Sequence, residues 1–426
     1  MDATALLSIA VALVAYGLVS RKLEGSFLTG PMLFSLFGLL AGPAYLGLMQ
    51  MQLGNEGLHL LAEVTLILVL FSDAASIDLA QLRRDHNLPV RMLMIGMPLT
   101  IALGTVAALL IFDGLGFWEA ALLAAILAPT DAALGQAVVS NPLVPVRMRQ
   151  ALNVESGLND GIALPFVLIF VAIAEALTAN FDAGAWLLVG AKQVIFGPLA
   201  GIAMGYAGAK LVALCYRTAW MSELAEGMIA LGLAFGAYAL AEVVDGNGFI
   251  AAFVAGLTFG NTLKKTCKYL YEFAESEGQI LILLTFAAFG GVMLPQAMSM
   301  GVDMTGVVVF ALLALTVLRM LPVQLSLIGT GIQPATTAFL GWFGPRGLAS
   351  ILFVLLIVEE SDLPNESIIF TVATVTVALS VVLHGMSAGP AARWYGAMTS
   401  RMGECPENKP VLVEPFVDSV VNRPAK

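Results

Sequence analysis

The run WEAALLAAILAPTDAALGQAVV, residues 118–139, is an apolar stretch of membrane-spanning length that Pro129, Thr130 and Asp131 interrupt near its centre. A helix needs about 20 predominantly apolar residues to cross the hydrocarbon core of a bilayer. Proline lacks a backbone N–H and leaves the carbonyl four residues earlier, here that of Ala125, without its helical partner. The stretch therefore predicts a transmembrane helix that is broken at mid-membrane depth.

The composition of the whole chain agrees with a membrane protein. Its 426 residues are 59% hydrophobic and 12% charged, with a mean hydropathy of +0.90. Soluble domains carry about 25% charged residues, so a soluble enzyme, a disordered chain and a disulfide framework are excluded. Only helices and closed barrels satisfy the backbone in lipid, and apolar runs of about 17–25 residues have helical length. We therefore predict an all-α polytopic membrane protein, and the net charge of −10 adds little to that prediction.

Hydropathy predicts about thirteen transmembrane spans. They lie near residues 3–20, 27–43, 57–75, 90–112, 118–140, 149–177, 187–216, 223–242, 246–261, 277–294, 303–325, 335–358 and 366–389. The first span has neither a basic segment before it nor a small-residue cleavage site, so we interpret it as a retained helix. The segment from about residue 400 to 426 is polar and is predicted to be a short cytoplasmic tail.

Basic residues fall on alternate connections and so predict the orientation. They follow spans one, three, five, seven and nine and recur in the tail, whereas the intervening connections carry mostly acids and only Lys192 departs from the pattern. By the positive-inside rule the N-terminus is outside and the C-terminus is cytoplasmic, as expected of a prokaryotic cytoplasmic membrane protein. The residues that set this orientation are Arg21, Lys22, Arg83, Arg84, Arg91, Arg147, Arg149, Lys210, Arg217, Lys264, Lys265, Lys268, Arg393, Arg401, Lys409, Arg423 and Lys426.

Two weak internal similarities predict an inverted repeat. Glycines 30, 38 and 42 of the second span match glycines 248, 256 and 260 of the ninth at a single constant offset, and the two spans run in opposite directions. Pro129 and Pro345, each in the middle of a span, are separated by nearly the same offset. Interrupted helices at matching places in inverted halves indicate a transporter site at the membrane midplane. We predict a transmembrane domain over residues 1–399, with repeats at about 1–177 and 218–392 and a linking helix at about 187–216.

Five ionisable residues lie deep within predicted spans. They are Asp73, Asp131, Glu155, Asp160 and Arg346. Each costs about 2.5–3.5 kcal/mol on the lenient insertion scale, so pairing or hydration is required. We expect Glu155 to form an ion pair with Arg346, and Glu63 to be solvated or structural near the outer surface. The isolated His59, His86 and His384 are expected to be packing or surface residues.

The sixth span carries the densest polar cluster, NVESGLNDG at residues 153–161. Helical spacing puts Ser156 and Asp160 on one stripe of the helix, and Glu155 with Asn159 on the next. Together with Asp131 and Thr130 they offer only oxygen ligands, which suit Na⁺, Li⁺ or K⁺. A carboxylate in such an interior can hold either a proton or a cation. Alternating exposure of that carboxylate to the two sides would then produce antiport.

These motifs resemble the monovalent cation–proton antiporter superfamily. Ala-Pro-Thr130-Asp131, Glu155-Ser-Gly-Leu-Asn159-Asp160 and Gly-Pro-Arg346-Gly together are similar to its electroneutral Na⁺/H⁺ exchanger branch of the NhaP type, over residues 3–392. The resemblance implies two discontinuous helices that cross at their unwound centres. It also implies a homodimer in which a mobile core moves against a dimerisation domain.

The resemblance also implies residue roles. Asp160 would be the carboxylate shared by proton and cation, and Asp131, Ser156 and the Thr130 carbonyl would complete a Na⁺ shell. Asn159 would organise the site, Glu155 and Arg346 would form the internal ion pair, and Asp73 would contribute an acid, with direct coordination left open. The Asn159-Asp160 pair resembles the electroneutral branch and implies exchange of one proton for one cation.

Two other function classes compete with antiport. An intramembrane aspartyl protease would use paired aspartates but needs a Gly-x-Gly-Asp signature that the sequence lacks. A cation-coupled symporter would need an additional pocket for an organic substrate. We therefore expect a secondary transporter rather than an enzyme, with no cofactor beyond the transported ions, membrane lipids as its surroundings and no nucleic-acid partner.

Overall fold

A computed structural model describes residues 3–408 except 24–25, 50–52, 55, 85–86, 179–182, 219, 223–224, 264–267, 359–360 and 404. All regular secondary structure in that part of the chain is helical. The α-helices are α1 Ala3–Leu23, α2 Gly30–Ala41, α3 Glu56–Ser76, α4 Leu79–Arg84, α5 Asn87–Arg91, α6 Met97–Ile111, α7 Phe117–Ile126, α8 Ala132–Val139, α9 Val146–Thr178, α10 Ala183–Arg217, α11 Ala225–Val243, α12 Gly248–Leu263, α13 Lys268–Ala288, α14 Leu294–Ser299, α15 Met304–Leu315, α16 Val317–Ser326, α17 Pro334–Trp342, α18 Leu348–Phe353 and α19 Glu366–Ser400.

Each of the thirteen predicted spans corresponds to one helix or to consecutive helices. Eight helical segments within the described residues are long and apolar enough to cross a membrane, and α2, α7, α11 and α12 contain shorter apolar helices. The all-α membrane fold is therefore confirmed. Three spans contain a π-helical turn, at Met92–Gly96, Phe289–Met293 and Val354–Val358, which continues the helix that precedes it.

Two spans are interrupted by extended chain. The fifth span divides into α7 and α8 around residues 127–131, and the twelfth divides into α17 and α18 around residues 343–347. Both breaks coincide with the prolines, Pro129 and Pro345, that predicted them from the sequence. Because both breaks lie within predicted spans, neither can take its missing hydrogen bonds from lipid.

The helices pack mainly into two groups. The helices α2, α3 and α10–α13 contact one another, and α6–α9 contact α15–α19. The second group contains both interrupted spans, and α9 borders the first group through contacts with α3, α10 and α12. This arrangement places the two breaks and the polar cluster of α9 inside one group, beside its neighbour.

Glycines in α2 and α12 allow two helix pairs to approach to backbone contact. A Cβ added to Gly38 would collide with the carbonyl of Ala287 in α13, and a Cβ added to Gly256 would collide with the carbonyl of Phe71 in α3. The number of residues from Gly38 to Gly256 nearly equals the number from Phe71 to Ala287. The contact of α2 with α13 in one half therefore corresponds to the contact of α12 with α3 in the other. This packing agrees with an inverted repeat, whose boundaries stay a prediction.

Helix α1 packs on the rest of the chain through few side chains. Only 6% of its apolar window is buried, and Leu7, Val14 and Leu18 are 65%, 63% and 82% exposed. Such a surface requires lipid or another apolar partner.

Several sequence predictions fall outside the described residues and are neither supported nor contradicted. These concern His86, Lys264, Lys265, Lys409, Arg423, Lys426 and the tail over residues 409–426.

Alanine at the close-approach glycines is expected to destabilise the protein. Gly38→Ala and Gly256→Ala each force backbones apart, and overpacking of this kind costs about 1–3 kcal/mol. The measurement is the midpoint of thermal unfolding in detergent. The matched control is Gly232→Ala in α11, where a Cβ meets nothing within 4 Å. Equal midpoints for all three variants would contradict the packing.

Candidate ion-binding site at the helix crossing

The two interrupted spans hold each other by hydrogen bonds at their breaks. The Asp131 N–H donates to the Pro345 carbonyl at 2.8 Å, and the Ser350 hydroxyl donates to the Ile126 carbonyl at 2.7 Å. Each break thus supplies partners to the other, which satisfies backbone groups that lipid cannot satisfy. The crossing of two discontinuous helices, implied by the sequence resemblance, is confirmed.

The Asp131 carboxylate joins the starts of both second half-helices. One oxygen accepts the Leu348 N–H at the start of α18 at 2.8 Å, and the other accepts the Leu134 N–H of its own α8 at 3.4 Å. A Cβ at Gly347 would collide with this carboxylate, so glycine is required there for the close approach. A negative charge complements the partial positive charge of both helix N-termini.

Arg346 places a positive charge at the end of a half-helix, whereas Asp131 places a negative charge at helix starts. Its side chain is 1% exposed, and Nη1 donates to the carbonyls of Ala128 and Pro129, just after the C-terminal end of α7, at 2.8 and 3.0 Å. A cation at the carbonyl end of a helix is favourable for the same reason as an anion at its start. The expectation of a free Ala125 carbonyl was wrong, because the chain tightens after α7 and the Ala128 N–H donates to that carbonyl at 3.2 Å.

Asp160 lies on α9 beside the first break. Its side chain is 9% exposed and its Oδ1 has no hydrogen-bond partner within the described part of the chain. On the same helix, the Ser156 hydroxyl donates to the Thr130 carbonyl, and the Asn159 Nδ2 donates to the Thr130 hydroxyl at 2.6 Å. Ser156, Asn159 and Thr130 are therefore brought together as predicted, with an unsatisfied carboxylate oxygen next to them.

Asp73 and Asp131 are the two other acids whose charges act on Asp160. Both side chains are partly exposed, whereas Asp160 is buried. The structure thus places the predicted acids close enough to repel one another. Among the described residues, no three His, Cys, Asp or Glu side chains form a compact metal-binding group. A cation here would therefore depend on hydroxyl and carbonyl oxygens as well as carboxylates.

The predicted Glu155–Arg346 ion pair is corrected by the structure. Glu155 pairs with Arg319 of α16, with 2.6 Å from the Arg319 Nη2 to one carboxylate oxygen and 2.7 Å to the other. Both side chains are 1% exposed. Arg346 remains near enough for its charge to act on both groups, but its Nη1 donates to the carbonyls of the break and its Nε has no partner within the described residues.

Sequence reasoning missed Arg319 although a signal was present. Arg319 is a charged residue within the apolar run of residues 303–325, and it belongs with the buried charges. A Cβ at Gly344 would press against the Arg319 guanidinium, so the second break also makes room for this cation.

Ser380 and His384 of α19 also support the second break. The Arg346 N–H donates to the Ser380 hydroxyl at 2.7 Å, and His384 Nε2 lies 2.9 Å from the Trp342 carbonyl. His384 is 1% exposed, which agrees with the expected packing role, but it also hydrogen-bonds the end of α17. An isolated histidine and serine give no sequence signal for such a role.

Comparison with known proteins identifies the family. Residues 9–394 match the family model described as sodium/hydrogen exchanger, transmembrane. The chain belongs to this family. Its membership confirms the predicted family and supports the resemblance to NhaP-type antiporters.

Named relatives include both potassium and sodium exchangers. The chain is 26% identical to the K(+)/H(+) antiporter NhaP of Alkalimonas amylolytica, over 88% of this chain and 64% of that protein. It is 26% identical to Na(+)/H(+) antiporter 2 of Zygosaccharomyces rouxii, over 87% of this chain and 50% of that protein. The chain thus spans one half to two thirds of the length of these relatives.

A solved structure shares the fold. The sodium proton antiporter MjNhaP1 from Methanocaldococcus jannaschii superposes with a TM-score of 0.72 at 20% identity, covering 92% of this chain and 98% of that one. At this identity the likeness establishes the fold only.

A double-mutant cycle distinguishes the observed ion pair from the predicted one. Glu155→Gln and Arg319→Met should each destabilise the protein by about 3–5 kcal/mol, because each leaves a buried charge unpaired. Their combination should recover about 2 kcal/mol or more as coupling. The measurement is unfolding in detergent, with the Glu155→Gln and Arg346→Met cycle as the comparison. A larger coupling in the Arg346 cycle would refute the assignment.

Proposed function

We propose that the protein exchanges monovalent cations for protons across the membrane, with both ions competing for Asp160. The observation that carries this proposal is the buried Asp160 carboxylate, whose Oδ1 has no hydrogen-bond partner within the described residues and faces the repulsion of Asp73 and Asp131. The chain's membership in an exchanger family and its relatives' names agree with the proposal.

The chemistry follows from the cost of an isolated buried charge. A carboxylate removed from water and repelled by two others is stable only with a compensating positive partner. A proton or a monovalent cation can serve, but either one removes the charge that attracts the other. Binding is therefore competitive. A protein that exposes this carboxylate to each side in turn, only when it is occupied, exchanges one ion for the other without a covalent step.

The proposed cation ligands are oxygens. Asp160 supplies its unpaired oxygen, and Ser156 supplies a hydroxyl whose proton points to the Thr130 carbonyl, which leaves the hydroxyl lone pairs available. Asp131 supplies carboxylate oxygens beside them. This hard-oxygen set suits Na⁺, Li⁺ and K⁺. Asn159 holds Thr130 in place, and Asp73 contributes charge at the partly exposed entrance.

We further propose the orientation and assembly that the sequence predicts. The N-terminus would lie outside and the C-terminus in the cytoplasm of a prokaryotic cell. Two copies would form a homodimer, and the exposed apolar face of α1 supports a partner there. The group of helices that contains both breaks would form the mobile core. Hydrogen bonds from Ser156 and Asn159 of α9 to Thr130 tie α9 to the crossing, so these elements would move as one unit.

Asp160→Asn should abolish exchange while the protein stays folded. The amide cannot release a proton or carry the charge that a cation needs, so we expect the exchange rate to fall to the background of empty liposomes. The measurement is cation-driven dequenching of a pH dye in proteoliposomes with Na⁺, Li⁺ and K⁺. Asp113→Asn, on an exposed loop residue, is the matched control. Residual exchange in the Asp160 variant would refute the site.

Exchange should be electroneutral. A single exchangeable carboxylate next to Asn159 carries one proton in one direction for each cation in the other, so no net charge crosses the membrane. We expect initial rates and end points of proton movement in Na⁺ medium to be the same with and without valinomycin under one fixed K⁺ gradient, so that only the voltage differs. Rates or end points that follow the imposed potential would show a stoichiometry other than one to one.

A further inference from the structure

The chain after α19 folds back onto the transport core. Residues Pro406–Asn408 form a 3₁₀ turn, and Glu407 within it is fully buried. One Glu407 oxygen accepts the Gln333 N–H at 2.7 Å and the Thr336 hydroxyl at 3.0 Å. A carboxylate from the tail thus lies at the start of α17, the first half of the interrupted twelfth span.

Other contacts fix this turn against two more helices. Arg147 of α9 donates to the Pro406 carbonyl at 2.6 Å, and Asn408 donates to the Thr399 carbonyl at the end of α19 at 3.0 Å. Tyr395 of α19 donates to the Thr336 hydroxyl at 3.1 Å and so joins the same hydrogen-bond chain. The turn therefore connects α9, which carries Asp160, with α17, which leads to Arg346.

Helix α17 lacks a cap of its own. Its N-cap residue Gln333 makes no side-chain capping bond, Pro334 follows it, and Thr336 stands at the third helical position. In a capping box, a glutamate at that third position would accept the N-cap N–H. Glu407 makes this bond instead, from 74 residues further along the chain.

In the first repeat, the corresponding half-helix is α7, which carries a glutamate at its own third helical position. Glu119, at the third position of α7, accepts the Gly116 N–H at 2.8 Å and also the Asn365 N–H at 3.0 Å. The offset from Glu119 to Thr336 equals the offset from Gly116 to Gln333, so the two helix starts correspond position by position. Both half-helices are thus capped by a buried carboxylate, and only the second of these carboxylates comes from the tail.

We propose that Glu407 is a positioning residue for ion exchange, which caps α17 and so fixes the second break relative to the Asp160 site. The segment up to Asn408 is then part of the transport unit rather than a dispensable tail. This inference rests on the proposed exchange activity for one of its two readouts. From its capped start, α17 runs nine residues to Trp342, directly before the residues that hold Asp131 and the Ala128 carbonyl.

Glu407 is charged under the conditions of such a test. Burial acts to raise the pKa of Glu407, but the hydrogen bonds from the Gln333 N–H and from the Cys405 and Thr336 side chains outweigh it and hold that pKa below its usual value. A depressed pKa means that the cap is fully present at neutral pH and is lost only as the pH falls through that depressed value.

The test compares Glu407→Ala, Glu407→Gln and the double variant Glu407→Ala with Thr336→Glu, which places the glutamate where the first repeat has it. Asp303→Ala removes an exposed capping side chain from α15 and is the matched control. In proteoliposomes we expect Glu407→Ala to raise the KM for Na⁺ about five-fold, the fold-change of a lost cap. The maximal rate per folded protein should change less than about two-fold. The double variant should restore at least half of the KM change, and Asp303→Ala should leave KM unchanged.

A second readout does not depend on transport. Amide hydrogen exchange over residues 333–343 of the purified protein should accelerate about five-fold in Glu407→Ala, while exchange over α7 stays unchanged. Glu407→Gln, which keeps the acceptor oxygen but not the charge, should fall between wild type and alanine in both readouts, and it replaces alanine if that variant does not fold.

Unchanged KM and unchanged α17 exchange in the Glu407 variants would overturn the proposal, as would an equal KM change in Asp303→Ala or no recovery in the double variant. A fall in the maximal rate per folded protein at constant KM would show that Glu407 acts on a step other than ion binding, and would also contradict it. Absence of ion exchange in the wild type would refute the proposed function, whereas accelerated amide exchange over residues 333–343 would still support the cap.

Discussion

The fold depends on one constraint: two helices broken inside the membrane must satisfy each other's backbone groups. Residues 127–131 and 343–347 lose their helical hydrogen bonds within predicted spans, where lipid cannot replace them. They recover them across the crossing, through Asp131 with Pro345 and Leu348, and through Arg346 with the carbonyls after α7. The same contacts hold the Asp131 carboxylate and the Arg346 guanidinium at the crossing.

The charges around the crossing follow from this constraint. Asp131 is held by helix starts and Arg346 by carbonyls, so both are neutralised by backbone dipoles rather than by each other. Glu155 pairs with Arg319, which leaves Asp160 as the acid beside the crossing with an oxygen that lacks a hydrogen-bond partner within the described chain. A site for an exchangeable ion therefore remains where the supporting contacts leave a charge uncompensated.

The sequence was sufficient for features that follow from local composition. Apolar runs located the helices of the predicted spans, and prolines located both breaks. Helical spacing placed Ser156 and Asp160 on one stripe of α9, where Ser156 contacts Thr130. The sequence was insufficient where the partner of a side chain depends on how distant parts of the chain pack together. Glu155 has two buried arginines within electrostatic reach, and only the packing of α16 against the break selects Arg319. Glu407 looked like part of a polar tail because its partner lies 74 residues away.

The central claim is that one carboxylate holds either a proton or a cation. The most direct measurement is proton release from the purified protein in weakly buffered detergent solution when Na⁺ is added, followed with a pH-sensitive dye. The account predicts release that saturates at one proton for each bound cation and disappears in Asp160→Asn. Cation binding without proton release, or equal release from the Asp160 variant, would contradict it.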